Sequence, residues 1–494
     1  MKEIKTLGEL KKSKYTSRSV KDELRANLIV KLRSGEKVFP GVLGYDTTVI
    51  PSIQNAILAK HNISLLGLRG QAKTSIARAM TGLLDEYIPV VSGAELNDDP
   101  LNPISKYAKD LIVEMGDKTP IEWMHRDDRY TEKLATPDVT VADLIGDLDP
   151  IKAANLKLNY SDERAIHFGL VPKAHRGLFV INELPDLQAR IQVALFNILQ
   201  EGDIQIRGFK LRLPLDIQFV FTANPEDYTN RGSIITPLKD RIQSQILTHY
   251  PKSLEIAREI TEQEAKLSDD QRAHVEVAHF LKDLVEEIAF VARDSEYIDQ
   301  KSGVSARLSI TAYENLVSTA ERRAIVNGES KTQARVGDIY AVVPAITGKV
   351  ELVYEGEQEG PDRVANRLLG AAIRKQFPQY FPDPEMIKRR KETNPYQEII
   401  NWFGSHELDL MNGDDEETFR LKLDRVQGLD GLVAKYFPRA TDEQRYLLKE
   451  FALHGLAEYS MLGKNQLEEG LGFSDILGEI FSSGDDDYDE SPKY

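Results

Sequence analysis

Residues 67–74 read Gly67-Leu-Arg-Gly-Gln-Ala-Lys-Thr74, with Ser75 next. A short apolar run (Ile63, Leu65, Leu66) precedes them and a helix-compatible stretch to Leu83 follows. A strand, a tight loop and a helix N-terminus in that order can cradle phosphate through backbone N–H groups. Gly67, Gly70, Gln71, Ala72 and Ser75 would form the cradle. Lys73 would reach the β- and γ-phosphates, and the Thr74 hydroxyl would bind Mg²⁺. The chemistry indicated is the binding of a nucleoside triphosphate with Mg²⁺. Ala72 stands where a glycine usually precedes the lysine.

Such a loop needs partners, and candidates follow in chain order. Leu178-Phe-Val-Ile181 is an apolar strand ending in Asn182-Glu183. Glu183 could orient and deprotonate water for in-line attack on the γ-phosphate. Asn182, where an aspartate is usual, could hold Mg²⁺ through water but brings no charge. A second apolar strand, Phe219 to Ala223, ends in Asn224, which could hold the attacking water. Arg241, beside Asp240, could stabilise charge on the transferring phosphoryl group of a neighbouring subunit. Arg307 opens a helical stretch and could reach back over the phosphates. Taken singly, each has a plainer reading: a strand-end Glu, a turn-forming Asn before Pro, a surface Asp–Arg pair and a solvated helix-terminal Arg.

The elements that must position these groups are legible as patterns. Residues 36–250 alternate apolar runs with helical periodicity, predicting an α/β domain. The runs Ile63–Gly67, Gly177–Ile181 and Ile217–Thr222 suit strands of a parallel sheet covered on both faces. Ile191, Leu195, Ile198 and Leu199 predict one helix between the last two. Strict alternation over Asp203–Leu213 around Gly208 predicts a β-hairpin. Residues 1–35 form a charged helical lead-in, 251–350 a helical domain and 351–362 an acidic linker rich in turn residues. Residues 363–480 are helical again, with one helix capped by Thr441 and Gln444 and stopped at Gly463. The acidic tail within 481–494 is predicted to be disordered.

Composition narrows the function classes. The 494 residues suggest several domains, and 41% hydrophobic content supports a folded chain. A net charge of −16 argues against a general nucleic-acid binder. The absence of cysteine removes disulfides and thiolate chemistry. No secretory leader or membrane span is visible, so a cytoplasmic protein is expected. His167 and His175, with Glu163 four before the first, do not make a zinc set. Trp123 and His125 suit packing.

The ordered series resembles the AAA+ ATPases of the magnesium-chelatase I-subunit and MoxR-like branch over roughly residues 38–345. The resemblance rests on Phe39-Pro-Gly-Val-Leu-Gly-Tyr45, the phosphate loop, Asp98-Asp-Pro-Leu-Asn102, Asp143-Leu-Ile-Gly-Asp147 and Ala174-His-Arg-Gly177. It continues through Asn182-Glu183, Thr222-Ala-Asn-Pro-Glu226, Leu238-Lys-Asp-Arg241, His249-Tyr-Pro and Val304–Arg307. It implies an αβα nucleotide-binding domain, a helical lid and, beyond them, an additional helical C-terminal domain. By that resemblance the nucleotide is ATP. Gly67–Thr74 becomes Walker A, Asn182-Glu183 Walker B, Asn224 sensor 1, Arg241 the arginine finger and Arg307 sensor 2. The family's helix-2 insert would occupy roughly 140–175 and its pre-sensor hairpin 203–213. The resemblance also implies a hexameric homo-oligomer ring and a protein partner with a von Willebrand factor A domain.

The expected function is a ring ATPase that remodels a protein partner. Ala72 and Asn182 predict weak turnover, since both motifs are atypical. Two other readings stay open: the motor subunit of a magnesium chelatase, and a nucleotide-sensing scaffold with little turnover. An activator of an alternative sigma factor fits poorly, because the chain has no Gly-Ala-Phe-Thr-Gly-Ala loop.

Overall fold

A computed structural model describes residues 3–155, 157–158, 162–206, 212–225, 233–391 and 393–476. The chain divides into two units, Met1–Tyr250 and Pro251–Tyr494.

The first unit is built on a five-stranded sheet. Its strands are β1 (Ile63–Leu66), β2 (Tyr130–Leu134), β3 (Gly177–Asn182), β4 (Ile217–Ala223) and β5 (Ser244–Leu247). They lie in the order β5-β1-β4-β3-β2, all parallel. Side chains alternate across a strand, so each apolar run feeds two cores. Leu178 and Val180 of β3 face one core with Ile63, Leu65 and Val220, while Phe179 and Ile181 face the other with Phe219 and Phe221. The three apolar runs are therefore the three central strands. The outer strands β2 and β5 are short and carry polar residues, and the sequence pattern did not predict them.

Three helices matter for the site: α1 (Val20–Ser34), α2 (Val49–Leu58) and α3 (Lys73–Ala79). Ser19 caps α1 by accepting from the Asp22 N–H, and Gly35 ends it at φ 73°. α1 is more than a lead-in. Val20, Leu24 and Leu28 are buried in the core that holds Ile63 and Leu65. Glu23 of α1 also makes a buried bidentate pair with Arg129, at 2.7 Å for both bonds, just before β2. Removing one partner of such a pair costs about 3–5 kcal/mol.

The helix expected between β3 and β4 is two short ones, Ala189–Ala194 and Phe196–Glu201. The hairpin strands Asp203–Gln205 and Arg212–Pro214 pair antiparallel as the alternation predicted, and the tip lies outside the described residues. Within 140–175, Gly146–Leu148 pairs antiparallel with Ile166–Phe168. Glu163 sits in a 3-10 turn before that strand, so it shares no helix face with His167.

The second unit has one continuous apolar core, with members from Ala265 to Phe473. The expected linker at 351–362 is instead helical. Tyr354–Glu359 and Pro361–Gln376 are helices, separated by Gly360 at φ 94° with Pro361 opening the second. Glutamate is a good helix former, and Gly-Pro marks a helix junction here rather than a loop. The helix Asp442–Glu458 carries the predicted Thr441–Gln444 capping box. Gly463, however, begins a strand that joins Leu408–Met411 and Gly470–Ser474 in a small antiparallel sheet. The predicted disordered tail lies outside the described residues.

Candidate nucleotide site

The loop leaves β1 at its C-terminal end. The Gly67 N–H still donates to the Ala223 carbonyl at 3.1 Å, so pairing with β4 runs into the loop. Gly67 admits no side chain, because a Cβ there would collide with Thr248 Oγ1 and Gln71 Oε1. Gly70 and Ala72 are both left-handed, at φ 72° and 54°. For alanine that conformation costs roughly 1–2 kcal/mol. The loop therefore adopts a backbone that its sequence does not favour, at the position where a methyl group replaces glycine.

Neighbouring elements hold it there. The Gln71 side chain is buried, and its Oε1 accepts from Thr248 Oγ1 at 2.7 Å, just past β5. The Tyr45 hydroxyl is shared between the carbonyls of Gln71 (3.1 Å) and His249 (2.7 Å). Burial pushes the Tyr45 phenol up to about 12, so it remains a donor. The His249 ring meets Tyr45 edge-on and pairs with Thr48 Oγ1 at 2.8 Å. The Tyr250 hydroxyl donates to the Arg69 carbonyl at 2.9 Å.

Lys73 is buried at the start of α3. Its Nζ donates to the carbonyls of Gly67 and Leu68 (3.0 Å for the latter) and to Asn224 Oδ1 at 2.8 Å. Thr74 and Ser75 are exposed on the first turn of α3.

Asn182 ends β3, and Glu183 follows in the left-handed region at φ 54°. A bulky non-glycine residue at positive φ is uncommon, and such outliers concentrate at functional sites. Thr222 of β4 ties the two together. Its hydroxyl donates to Asn182 Oδ1 at 3.0 Å and accepts from the Glu183 N–H at 3.2 Å. Asn182 Nδ2 donates to Glu132 Oε1 at 2.6 Å. The Glu132 carboxylate, on β2, also accepts from Arg78 Nη2 at 3.0 Å and from the Tyr130 hydroxyl at 2.9 Å. That bond raises the Arg78 pKa, and burial raises that of Tyr130.

Thus the loop, Asn182, Glu183 and Asn224 gather at the C-terminal ends of β1, β3 and β4, where open α/β sheets bind ligands. Arg241 is not part of this group. Its guanidinium bonds to Gln200 Oε1 (3.1 Å) and the Pro237 carbonyl (2.7 Å) and lies over the Phe196 ring. Arg307 is the first residue of the helix Arg307–Asn327 in the second unit. Sequence reasoning missed Glu132, Arg78 and Thr248. The first lies on a polar strand without apolar periodicity, and Thr248 follows a strand whose end had no signal. Tyr45 was visible only as part of the segment after Phe39.

The residues present fit a magnesium–nucleotide. Two left-handed loop positions, a lysine that holds carbonyl oxygens, an exposed threonine hydroxyl and a carboxylate at a strand end make a donor set for polyphosphate and a hard cation.

Residues 157–247 match the sigma-54 interaction domain family. The chain is 26% identical over 217 residues to the magnesium-chelatase 38 kDa subunit of Cereibacter sphaeroides, covering 43% of this chain and 59% of that protein. It is 26% identical over 255 residues to the chaperone MoxR1 of Mycobacterium tuberculosis, covering 47% of this chain and 64% of that one. The chain therefore spans about three fifths of the length of these relatives. A magnesium-chelatase structure of subunits BchI and BchD aligns with 65% of the chain and 98% of its own, at 18% identity and a TM-score of 0.33. Among the described residues no helix is long and apolar enough to cross a membrane. The parallel five-stranded sheet with its helices is consistent with the α/β fold of AAA+ proteins, and the chain is similar in sequence to a magnesium-chelatase subunit and to a MoxR chaperone.

Proposed function

We propose that the first unit binds and hydrolyses ATP with Mg²⁺, and that the protein works as a hexameric ring that remodels a protein partner. The observation that carries this reading is the Lys73–Asn224 bond at 2.8 Å, which joins the phosphate loop to the end of β4. A lysine placed there can pass to phosphate oxygens, and Asn224 can then hold water. Thr74 would bind Mg²⁺, with Asn182 reaching it through water. The bound ion would neutralise charge on the phosphates. Glu183 would orient the attacking water and take its proton. Arg241 faces its own helix Phe196–Glu201 rather than Lys73, which suits a finger offered to a neighbouring subunit. A role for Arg307 at the phosphates belongs to this reading by resemblance alone. A partner with a von Willebrand factor A domain belongs to this reading by resemblance alone.

Steady-state ATP hydrolysis with Mg²⁺, beside Glu183→Gln and with the assembly's mass measured with and without ATP, tests the proposal. Turnover lost in the variant and a nucleotide-dependent ring are expected. Turnover unchanged in Glu183→Gln would remove Glu183 from the mechanism.

Two observations favour other readings. The left-handed Ala72 and the uncharged Asn182 suit a nucleotide-sensing scaffold, which would bind ATP without turnover. The similarity to a magnesium-chelatase subunit suits a chelatase motor, which would need a separate porphyrin-binding subunit for activity. The sigma-54 match spans the region of Asn182, Glu183, Asn224 and Arg241, but the chain has no Gly-Ala-Phe-Thr-Gly-Ala loop, so activation of a sigma factor is not proposed.

A further inference from the structure

The carboxylate bonded to Asn182 comes from another strand. Glu132 of β2 holds Asn182 Nδ2 at 2.6 Å, and a carboxylate accepts only, so the amide nitrogen must face it. The amide oxygen is thereby turned toward the Thr222 hydroxyl at 3.0 Å and away from β2. Glu132 is itself fixed from two sides. Arg78 reaches it from α3, one turn beyond Thr74 on the same helix face, and Tyr130 reaches it from its own strand. Glu132 thus lies in a bonded chain running from the helix that bears Thr74 to the strand that bears Asn182. An aspartate at 182 would set two carboxylates at hydrogen-bond distance, which is strongly unfavourable for both being charged. Asn182 and Glu132 are therefore a matched pair: the carboxylate absent from β3 stands one strand over, itself paired with Arg78.

We propose that Glu132 is a positioning residue for the magnesium side of the site, acting through the amide of Asn182. This rests on the nucleotide site proposed above. Glu132 orients Asn182 so that the carbonyl end of its amide, not the NH₂ end, is available to metal-bound water. Its own charge is shared with Arg78, so the orientation of the amide is its contribution.

The test uses the full chain and a fluorescent ADP analogue, titrated with and without Mg²⁺, together with direct Mn²⁺ binding to the ADP complex by electron paramagnetic resonance. Glu132→Gln is expected to leave metal-free nucleotide affinity unchanged and to weaken Mn²⁺ binding by about tenfold, as loss of an outer partner of a metal ligand does. Asn182→Asp alone is expected to gain little, because the new carboxylate meets Glu132. The double variant Asn182→Asp/Glu132→Gln, with one carboxylate again, is expected to recover wild-type Mn²⁺ affinity or exceed it. Equal Mn²⁺ affinity in wild type and Glu132→Gln would overturn the proposal. So would a single Asn182→Asp that tightens Mn²⁺ as much as the double variant, since Glu132 would then only brace Arg78. Wild type that binds no nucleotide would overturn the site reading and this inference together, whereas tight metal-assisted binding indifferent to Glu132 would overturn this inference alone. Should Glu132→Gln fail to fold, Asn182→Asp alone decides: Mn²⁺ affinity unchanged within a few-fold supports the proposal, and a gain of tenfold or more overturns it.

Discussion

The ammonium of Lys73 donates to the side-chain oxygen of Asn224 across 2.8 Å, bridging positions 151 apart in the chain. The same ammonium is bonded to two carbonyls of its own loop. An arriving phosphate must therefore exchange with existing partners of Lys73, and losing the lysine removes the charge for which all of them compete. Lys73→Ala is expected to abolish ATP binding. Asn224→Ala is expected to keep binding within a few-fold and to cut turnover at least tenfold. Calorimetric titration beside a turnover assay separates the two; unchanged ATP affinity in Lys73→Ala would remove the phosphate-loop assignment.

Ala72 holds a left-handed backbone at φ 54°. Glycine adopts it freely, although glycine also loses more freedom on folding, by roughly 0.5–1 kcal/mol. The two effects nearly offset, so Ala72→Gly should change stability by less than about 1 kcal/mol. Its effect on the ligand should be larger, because a methyl leaves the surface the phosphates approach. Nucleotide affinity is expected to rise several-fold. A lower affinity in a normally stable variant would show that the methyl aids binding.

Arg241 leans on Phe196, Gln200 and Pro237 of its own chain. Arg241→Ala should leave nucleotide binding intact and reduce turnover by 10³-fold or more if it acts as a finger. Mixing Arg241→Ala with Glu183→Gln subunits should restore part of the activity, since some interfaces then combine an intact Arg241 with an intact Glu183. Absence of rescue in mixed rings would place its action within one subunit.

Asp216 precedes β4 and accepts from the Val20 N–H at 2.8 Å, at the start of α1. Burial, the largest influence, pushes its carboxyl up to about 6, against opposing help from the Val20 N–H, Arg176 and Arg129. The folded protein thus holds this proton more tightly than the unfolded chain does. Its contribution is fully present below the ordinary carboxylate range and is lost as pH rises from about 4 through about 6. Asp216→Asn keeps the acceptor and removes the titration. Its stability relative to wild type should rise by about 2 kcal/mol between pH 4 and pH 7. Urea unfolding at those two values measures it; a constant difference would contradict the assignment.

The legible part of this molecule was the part made of apolar runs and glycine-bearing loops. β1, β3 and β4 are buried on both faces, so their composition alone marked them, and Lys73, Glu183 and Asn224 were found because they stand at the ends of those runs. β2 was invisible because Tyr130-Thr-Glu-Lys-Leu134 has the polar make-up of an edge, and Glu132 vanished with it. The helix Tyr354–Glu359 was read as a linker because its Gly356 looked like a turn. In the fold that glycine is buried against the Tyr297 carbonyl, a close approach that only a tertiary contact reveals. The Glu23–Arg129 pair joins residues more than a hundred apart, and no local pattern announces such a partnership.

The phosphate loop is fastened on both flanks, but by different bonds. Toward β5 the fastening is neutral, Gln71 to Thr248, and a phosphate has no charge there to claim. Toward β4 it is the cation of Lys73 on Asn224, which a phosphate does claim. A phosphate bound there would compete for the Lys73 side of the loop and would find no charge to compete for on the Gln71 side. The two anchors are thus unequal: the one on β4 is open to exchange with an anion, and the one beside β5 is not.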